Sequence, residues 1–247
     1  MIADIPQAHR NVKLVRYGAG ETHARHAHED SSISVLLVGD FQEDLGGCEY
    51  DFACPVLGWK PAGLSHADRF GPQGAVFACI PVPEDCCGTI SLSAGWHNLA
   101  SFKSVGPLIR LSLAAGTAGM REDALVDLLG LAGPPSRMRR GEVPAWLNRA
   151  REMLRDDPAH SRLQSLSDTL GIHRVHVSRS FTRQFGIPPS VYRLRSMVAR
   201  TLAALQDERS SLSESAYCGD FADYSHAARA VKSATGFRMH EIRSLLG

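Results

Sequence analysis

The chain changes its hydrophobic rhythm about halfway along. Up to residue 100 the apolar positions come in short runs: Ser34-Val35-Leu36-Leu37-Val38, Ala75-Val76-Phe77-Ala78-Cys79-Ile80 and Thr89-Ile90-Ser91-Leu92. Gly39-Asp40, Gly46-Gly47, Pro61-Ala62-Gly63 and Gly71-Pro72 punctuate them. Short β-branched runs between Gly, Pro and Asp predict strands joined by turns, and hence an antiparallel sandwich or barrel. From about Arg121 the period lengthens. Ala124, Leu125, Leu128, Leu129 and Leu131 form a stripe at helical spacing. Residues 133–141, with Pro134, Pro135, Arg137, Arg139 and Arg140, read as a linker. After it Trp146, Leu147, Ala150 and Leu154 resume a helical face.

The last eighty residues contain a repeat. Arg179, Gly186 and Arg193 stand seven apart, and Arg229, Gly236 and Arg243 repeat them fifty residues later. Ser165 with Asp168, and Ser211 with Glu214, have the serine-x-x-acid form of a helix start, in which hydroxyl and acid each satisfy an unpaired backbone N–H. In the first copy Leu166 and Leu170 are the apolar face, and Gly171 fits a left-handed turn residue. A second helix from about Arg174 to Phe185 buries Val177, Phe181 and Phe185, and shows Arg174, His176, Arg179, Ser180 and Arg183 outward. The second copy buries Leu212 and Ala216 and has four extra residues in its corner, Cys218 to Asp223. Its second helix, from about Ser225 to Ala234, displays Tyr224, Ser225, His226, Arg229 and Lys232. Helix, short turn, helix is the unit whose second helix enters the major groove of DNA. An amphipathic helix from Val191 to Leu205 would hold two such readers about 34 Å apart, one DNA turn.

Residues 160–247 resemble the DNA-binding domain of the AraC/XylS family of transcription regulators. Leu166, Leu170, Gly171, Arg179, Phe181, Gly186, Pro189, Tyr192, Arg195 and Ala199 match in the first unit and connecting helix. Ala216, Phe221, Asp223, Ser225, Arg229, Lys232, Gly236 and Arg243 match in the second. The resemblance implies double-stranded promoter DNA and RNA polymerase as partners, together with an effector and a homodimer, for which the stripe from Ala124 to Leu131 is the candidate contact. Three departures stand out. Asp220 replaces a corner glycine, which suits a backbone without positive φ. Ser215, Ala227 and Val231 replace larger apolar residues, and His173 replaces an N-cap serine.

The first half carries a second resemblance. Gly20, His26-Ala27-His28 and the stretch from Gly58 to His66 are similar to the two motifs of the cupin superfamily, a small barrel in which three histidines bind a divalent metal. Residues i and i+2 of a strand share a face, which accounts for His-x-His. The resemblance implies His26, His28 and His66 as metal ligands for Zn, Fe, Ni or Cu, or else His26, His28, Trp59 and His66 as the lining of an effector pocket. The family's glutamate is missing, because Ser32 and Ile33 occupy its positions. His23 is expected on a loop outside the site.

The fold class is therefore α+β: a cupin-like antiparallel β-barrel over residues 1–133, a linker at 134–141, and an all-α domain with two helix-turn-helix units over 142–247. Charge follows the same division. Residues 1–141 hold 12 basic and 15 acidic residues, and residues 142–247 hold 15 and 11, so the net charge moves from −3 to +4. At 247 residues and 44% hydrophobic, the chain has material for two cores. No apolar run suits a membrane span or a signal peptide. Six cysteines without framework spacing fit a reducing, cytoplasmic setting. The vicinal Cys86-Cys87, with Cys48, Cys54 and Cys79, form a candidate redox sensor. The expected function is effector-controlled, sequence-specific DNA binding without catalysis. The alternative is a metal-dependent cupin enzyme with a helical accessory domain.

Overall fold

The computed structural model describes residues 13–52, 56–88, 90–99, 123, 126–136 and 143–246. Among them eight strands form one antiparallel sheet: β1 (Lys13–Tyr17), β2 (Thr22–His26), β3 (Ser31–Leu45), β4 (Cys48–Phe52), β5 (Val56–Lys60), β6 (His66–Val82), β7 (Gly95–Leu99) and β8 (Ala132–Pro135). The order is β1-β6-β3-β5-β7-β8, with β2 also on β6 and β4 also on β3. The expected order of an antiparallel sheet followed by helices holds, and among the described residues the ladder is not joined end to end.

Two long strands form its spine, and they explain where the turn signals misled. Gly39-Asp40 and Gly71-Pro72 lie inside β3 and β6, where the β3–β6 register breaks between Gly39 and Phe41. A bulge moves a strand's inward positions by one residue. In β3 that change comes at a second register shift, between Leu36 and Val38, where Leu37 and Val38 both join the opposite face: before it Ser34 and Leu36 face the concave side, and after it Phe41 and Glu43 do. Gly39 has φ 91° and Gly74 has φ 70°, and a Cβ on either would overlap neighbouring backbone. Gly46-Gly47 does form the β3–β4 turn. Ile90 to Leu92 is irregular rather than a strand, and β7 follows it.

The concave face holds an aromatic core of Phe41, Phe52, Phe70, Phe77 and Trp96, with Phe41 and Trp96 ring centroids 5.1 Å apart. The opposite face presents Ile33, Val35, Leu37, Trp59, Val76, Ala78 and Ile80. Gly133, Pro134 and Pro135, read as linker, lie in β8 against β7; residues 137–142 are outside the described set, as are Cys54, Ala124 and Leu125. Leu128 is buried in the chain's own core, so the stripe proposed for dimer contact is used at least partly within the chain.

Eight helices are described: α1 (Glu84–Cys87), then α2 (Ala145–Asp156), α3 (Leu163–Leu170), α4 (Arg174–Phe185), α5 (Pro189–Ala204), α6 (Leu212–Cys218), α7 (Tyr224–Thr235) and α8 (Met239–Leu246). A further stretch, 126–130, is also helical. α3 with α4, and α6 with α7, are the two helix-turn-helix units. Their corners hold three and five residues, so the second has two extra rather than four. Ser211 and Glu214 make the reciprocal cap, with N–H···O distances of 2.6 and 3.1 Å. In α3 the start lies earlier: Arg162 is the N-cap and Ser165 the third helical residue, its Oγ accepting from Arg162 N at 2.8 Å. Asp168 instead accepts from Gln164. Gly171, Gly186 and Gly236 end α3, α4 and α7 with positive φ.

Asp220 corrects one expectation. It has φ 62°, so the corner does require the left-handed region. Asp is among the few residues that enter that region at modest cost, and its carboxylate accepts from Arg200 at 2.5 Å.

α5 is buried on several sides rather than amphipathic, from Pro189 through Tyr192, Arg195, Val198 and Ala199 to Leu202. One side closes the first unit, another the second, and a third lies on the convex face of β3 and β6.

Candidate functional sites: two basic helices and a histidine-lined cavity

α4 and α7 are the elements on which DNA contact was expected. Each buries a stripe and leaves the rest in solvent. In α4 the stripe is Val177, Ser180, Phe181 and Phe185; in α7 it is Ala227, Ala230, Val231 and Thr235. Arg174, His176, Arg179 and Arg183 are exposed, as are Tyr224, Ser225, His226, Arg229 and Lys232. Ser180 is not: it is 4% exposed, because it falls beside Val177 and Phe181 on the inward side. His173 caps α4 in place of the expected serine, its Nδ1 accepting from Val175 N at 3.4 Å; Asp223 caps α7, accepting from His226 N at 2.7 Å. The third landmark of the repeat is structural. Arg193 donates to the Pro158 carbonyl at 2.7 Å, and Arg243 to the carbonyls of Ser210 at 2.8 Å and Leu205 at 3.2 Å.

The second site lies on the concave face of the sheet. His26 ends β2 and pairs across to His66, the first residue of β6; His28 lies just beyond β2. The His-x-His pair thus spans a strand end, and the loop is fixed by Gly63 N donating to the His28 carbonyl at 2.9 Å. The three rings converge nonetheless. His26 and His66 centroids are 4.3 Å apart, His26 and His28 4.9 Å, and His28 and His66 5.1 Å. One nitrogen from each lies within 4.8 Å of the other two. His26 Nδ1 is 2.8 Å from the Ala24 carbonyl and His66 Nδ1 is 3.2 Å from that of Leu64. Those bonds place the proton on Nδ1 and leave each Nε2 lone pair free.

Carboxylates that the motif does not include reach the cluster. Asp68, two residues along β6, lies 3.6 Å from His66 Nε2 and 3.8 Å from His23 Nδ1. His23 is therefore in the cavity wall, on β2, and not outside it. Glu43 is buried, taking one bond from Lys60 and one from the Trp96 indole N–H. Burial pushes the Glu43 carboxyl up, and the Lys60 ammonium holds it down. Burial, with the Lys60 charge next, lowers His66 to about 4, so its ring is neutral at pH 7. His28 is lowered by burial and then by His26.

The cavity above this cluster has a volume of about 660 Å³ and is walled by Tyr17, Phe41, Phe70, Phe77, Cys79 and Trp96, with Lys13 and Lys60 among its polar groups. Trp59, expected here, is on the convex face in the other core; Trp96 takes its place. Plain alternation separates the two tryptophans: Trp59 pairs with Ile33 of the convex face, and Trp96 pairs with Gly58, the residue before Trp59, on the concave face. Cys79 is in the wall, and burial raises its thiol. Cys86 and Cys87 lie in α1, against the convex-face core.

Between the two sites runs a buried polar seam. Tyr192 of α5 donates to Asp40, at the bulge, at 3.3 Å; Arg195 donates to the Leu37 carbonyl; Arg151 of α2 spans both oxygens of Asp51 at 3.0 and 3.2 Å. Burial raises the Asp40 carboxyl, and burial followed by the Asp40 charge raises Tyr192.

No protein-family model and no curated protein matches the chain. Among solved structures it is similar to ToxT from Vibrio cholerae O395, at 10% identity and TM-score 0.42, covering 96% of this chain and 98% of that one. It is similar to the C-terminal domain of AraT, a response regulator from Geobacillus stearothermophilus, at 18% identity and TM-score 0.40 over 42% and 88%. A third is the xylose-binding transcription activator XylR, at 16% identity and TM-score 0.39 over 52% and 40%. All three are AraC-family regulators, the family that the repeat units resemble.

Proposed function

We propose that the chain is a sequence-specific DNA-binding transcription regulator of AraC/XylS type whose sheet half takes an effector in the histidine-lined cavity. The observation that carries this reading is the matched pair α4 and α7, each the second helix of a helix-turn-helix unit and each presenting Arg and His to solvent. Arginine forks pair with guanine edges or phosphate oxygens, and each phosphate neutralised releases counterions. RNA polymerase and a second copy of the chain are the partners such a regulator would meet on a promoter.

The cavity volume falls within the range that encloses a small organic molecule, and an aromatic wall faces histidines, Lys13, Lys60 and Asp68, which suit a ligand with both apolar and polar groups. A second reading is a divalent transition ion, Zn, Fe, Ni or Cu, and the convergent His26, His28 and His66 favour it. One nitrogen from each of the three rings within 4.8 Å of the others is a spacing that suits such an ion. Bound there, it would supply a Lewis-acidic anchor for an effector oxygen or nitrogen. Either ligand acts on DNA affinity only by its preference for one arrangement of sheet and helices. The same cluster on an enzyme would turn over a substrate, the alternative function.

Fluorescence anisotropy with a labelled promoter-fragment pool tests the reading. Affinity should fall steeply between about 50 and 200 mM salt. Arg179→Ala and Arg229→Ala should each cost about 1–3 kcal/mol if they reach bases. Undiminished binding by the double variant overturns the assignment. Metal content of the purified protein beside His26→Ala/His28→Ala separates the effectors: near-stoichiometric metal lost in the variant supports the ion, and none after incubation with divalent ions leaves the organic effector.

A further inference from the structure

The fifty-residue repeat extends to a pair of histidines that its arginines and glycines do not announce. His176 and His226 are each the third residue of their helix, three before Arg179 and Arg229. Both are exposed, and both rest against an aromatic ring from outside the helix. Trp146 of α2 lies 5.6 Å from His176 at a tilt of 31°, and Phe221 of the second corner lies 5.0 Å from His226, edge-on at 84°. The two braces come from different elements, so the repeat alone does not account for them. An exposed side chain held by a ring loses less rotamer freedom on contact.

We infer that His176 and His226 are the specificity-determining pair of the two units, each reading guanine beside the arginine three residues on. The inference rests on the DNA-binding reading proposed above. Residues at i and i+3 of a helix lie about 5–6 Å apart on one face, from which the two side chains can converge on one base pair. Arginine is donor-only, and an imidazole N–H is a donor. Two donors side by side suit the N7 and O6 acceptors that guanine alone presents together in the major groove. Around this shared pair the units differ: Arg174 stands where the second has Tyr224, Arg183 where it has Ser233, and Thr182 where it has Lys232. The shared His and Arg therefore set one base pattern for both half-sites, and the flanking residues set each unit's grip.

Selection from a randomised duplex pool with the full chain tests this. The wild type should enrich two half-sites carrying guanine at the same position, His176→Ala should relax that position in one, and His226→Ala in the other. In the selected duplex, 7-deazaguanine at that position should weaken wild-type binding several-fold and leave the matching histidine variant unaffected. Trp146→Leu should weaken discrimination at the first half-site. Two half-sites with unlike bases, or histidine variants that lose affinity equally for all sequences, would overturn the inference, the latter by making the rings phosphate contacts. Absence of any enrichment by the wild type would instead sink the DNA-binding reading itself.

Discussion

The two helix-turn-helix units share a plan and differ in what holds them together. The first has its own core. Phe181, Phe185 and Tyr192 pack ring on ring, with Phe181 4.5 Å from Phe185 and 5.5 Å from Tyr192, and Val143, Leu147, Leu154 and Leu166 close the cluster. At the equivalent buried positions the second unit has Val231, Thr235 and Ile242. Its missing volume is made up from outside the repeat, by Phe221 and Phe237, by Leu202 and Leu205, and by a continuous apolar contact with the convex face of the sheet. The first unit has an apolar core of its own and meets the sheet through polar pairs, Tyr192 with Asp40 and Arg151 with Asp51, whereas the second shares its apolar core with the half of the chain that holds the cavity. Under the proposed function, a shift of β3 and β6 would reach the second unit through apolar packing and the first through Tyr192 and Arg151.

The largest test of that contrast is Phe181→Ala. Removing a fully buried ring should cost about 3–5 kcal/mol, read as lost amide protection in α2–α4 by hydrogen exchange. Leu37→Ala removes a buried side chain from the convex face, beside the carbonyl that Arg195 holds. A cost of about 2–5 kcal/mol is expected, with protection lost in α6 and α7 and kept in α3 and α4. Equal loss in both units would break the comparison.

Acid should act first on the sheet. His66 is depressed to about 4 by burial and then by Lys60, so the unfolded chain takes up a proton near pH 6.5 while the folded one stays neutral. Its contribution is present above pH 6.5 and is lost as pH falls toward 4, on the order of 2–3 kcal/mol in all. In chelator, denaturant titrations should show that slope reduced in His66→Gln. The smallest effect is expected for Tyr192→Phe, which leaves the buried Asp40 without its hydroxyl partner. About 1–2 kcal/mol should be lost, and any effector dependence of DNA affinity should weaken with it. Full dependence in the variant would take the seam out of the coupling.

Much of the helical half was legible because its signals are local. Capping serine and acid, corner glycines and the spacing of Val177, Phe181 and Phe185 are decided within a turn or two of chain. Two of the local expectations failed, one to a neighbour three residues away and one beside a partner twenty residues away. Arg162 displaced Ser165 as the cap, and Asp220 took a left-handed conformation with Arg200 as partner. The sheet was less legible, since Gly39-Asp40 and Gly71-Pro72 have the composition of turns and act as facing bulges. Pairing of Trp59 with Ile33 and of Trp96 with Gly58 put Trp96 rather than Trp59 in the cavity, and the one-residue shift between Leu36 and Val38 turned Glu43 toward the Trp96 indole.

The sequence by itself determined the two repeat units, the histidines His26, His28 and His66, and the change from strands to helices near the middle, because period, caps and spacing are properties of neighbouring residues. Only the tertiary structure decided that Asp68 and His23 join those histidines, that Ser180 faces inward, that Arg193 and Arg243 bind loop carbonyls, and that the second unit shares its core with the sheet. Each of these depends on strand register or helix packing between residues far apart in the chain, where apolar burial is non-directional and one bulge reverses which face a side chain joins.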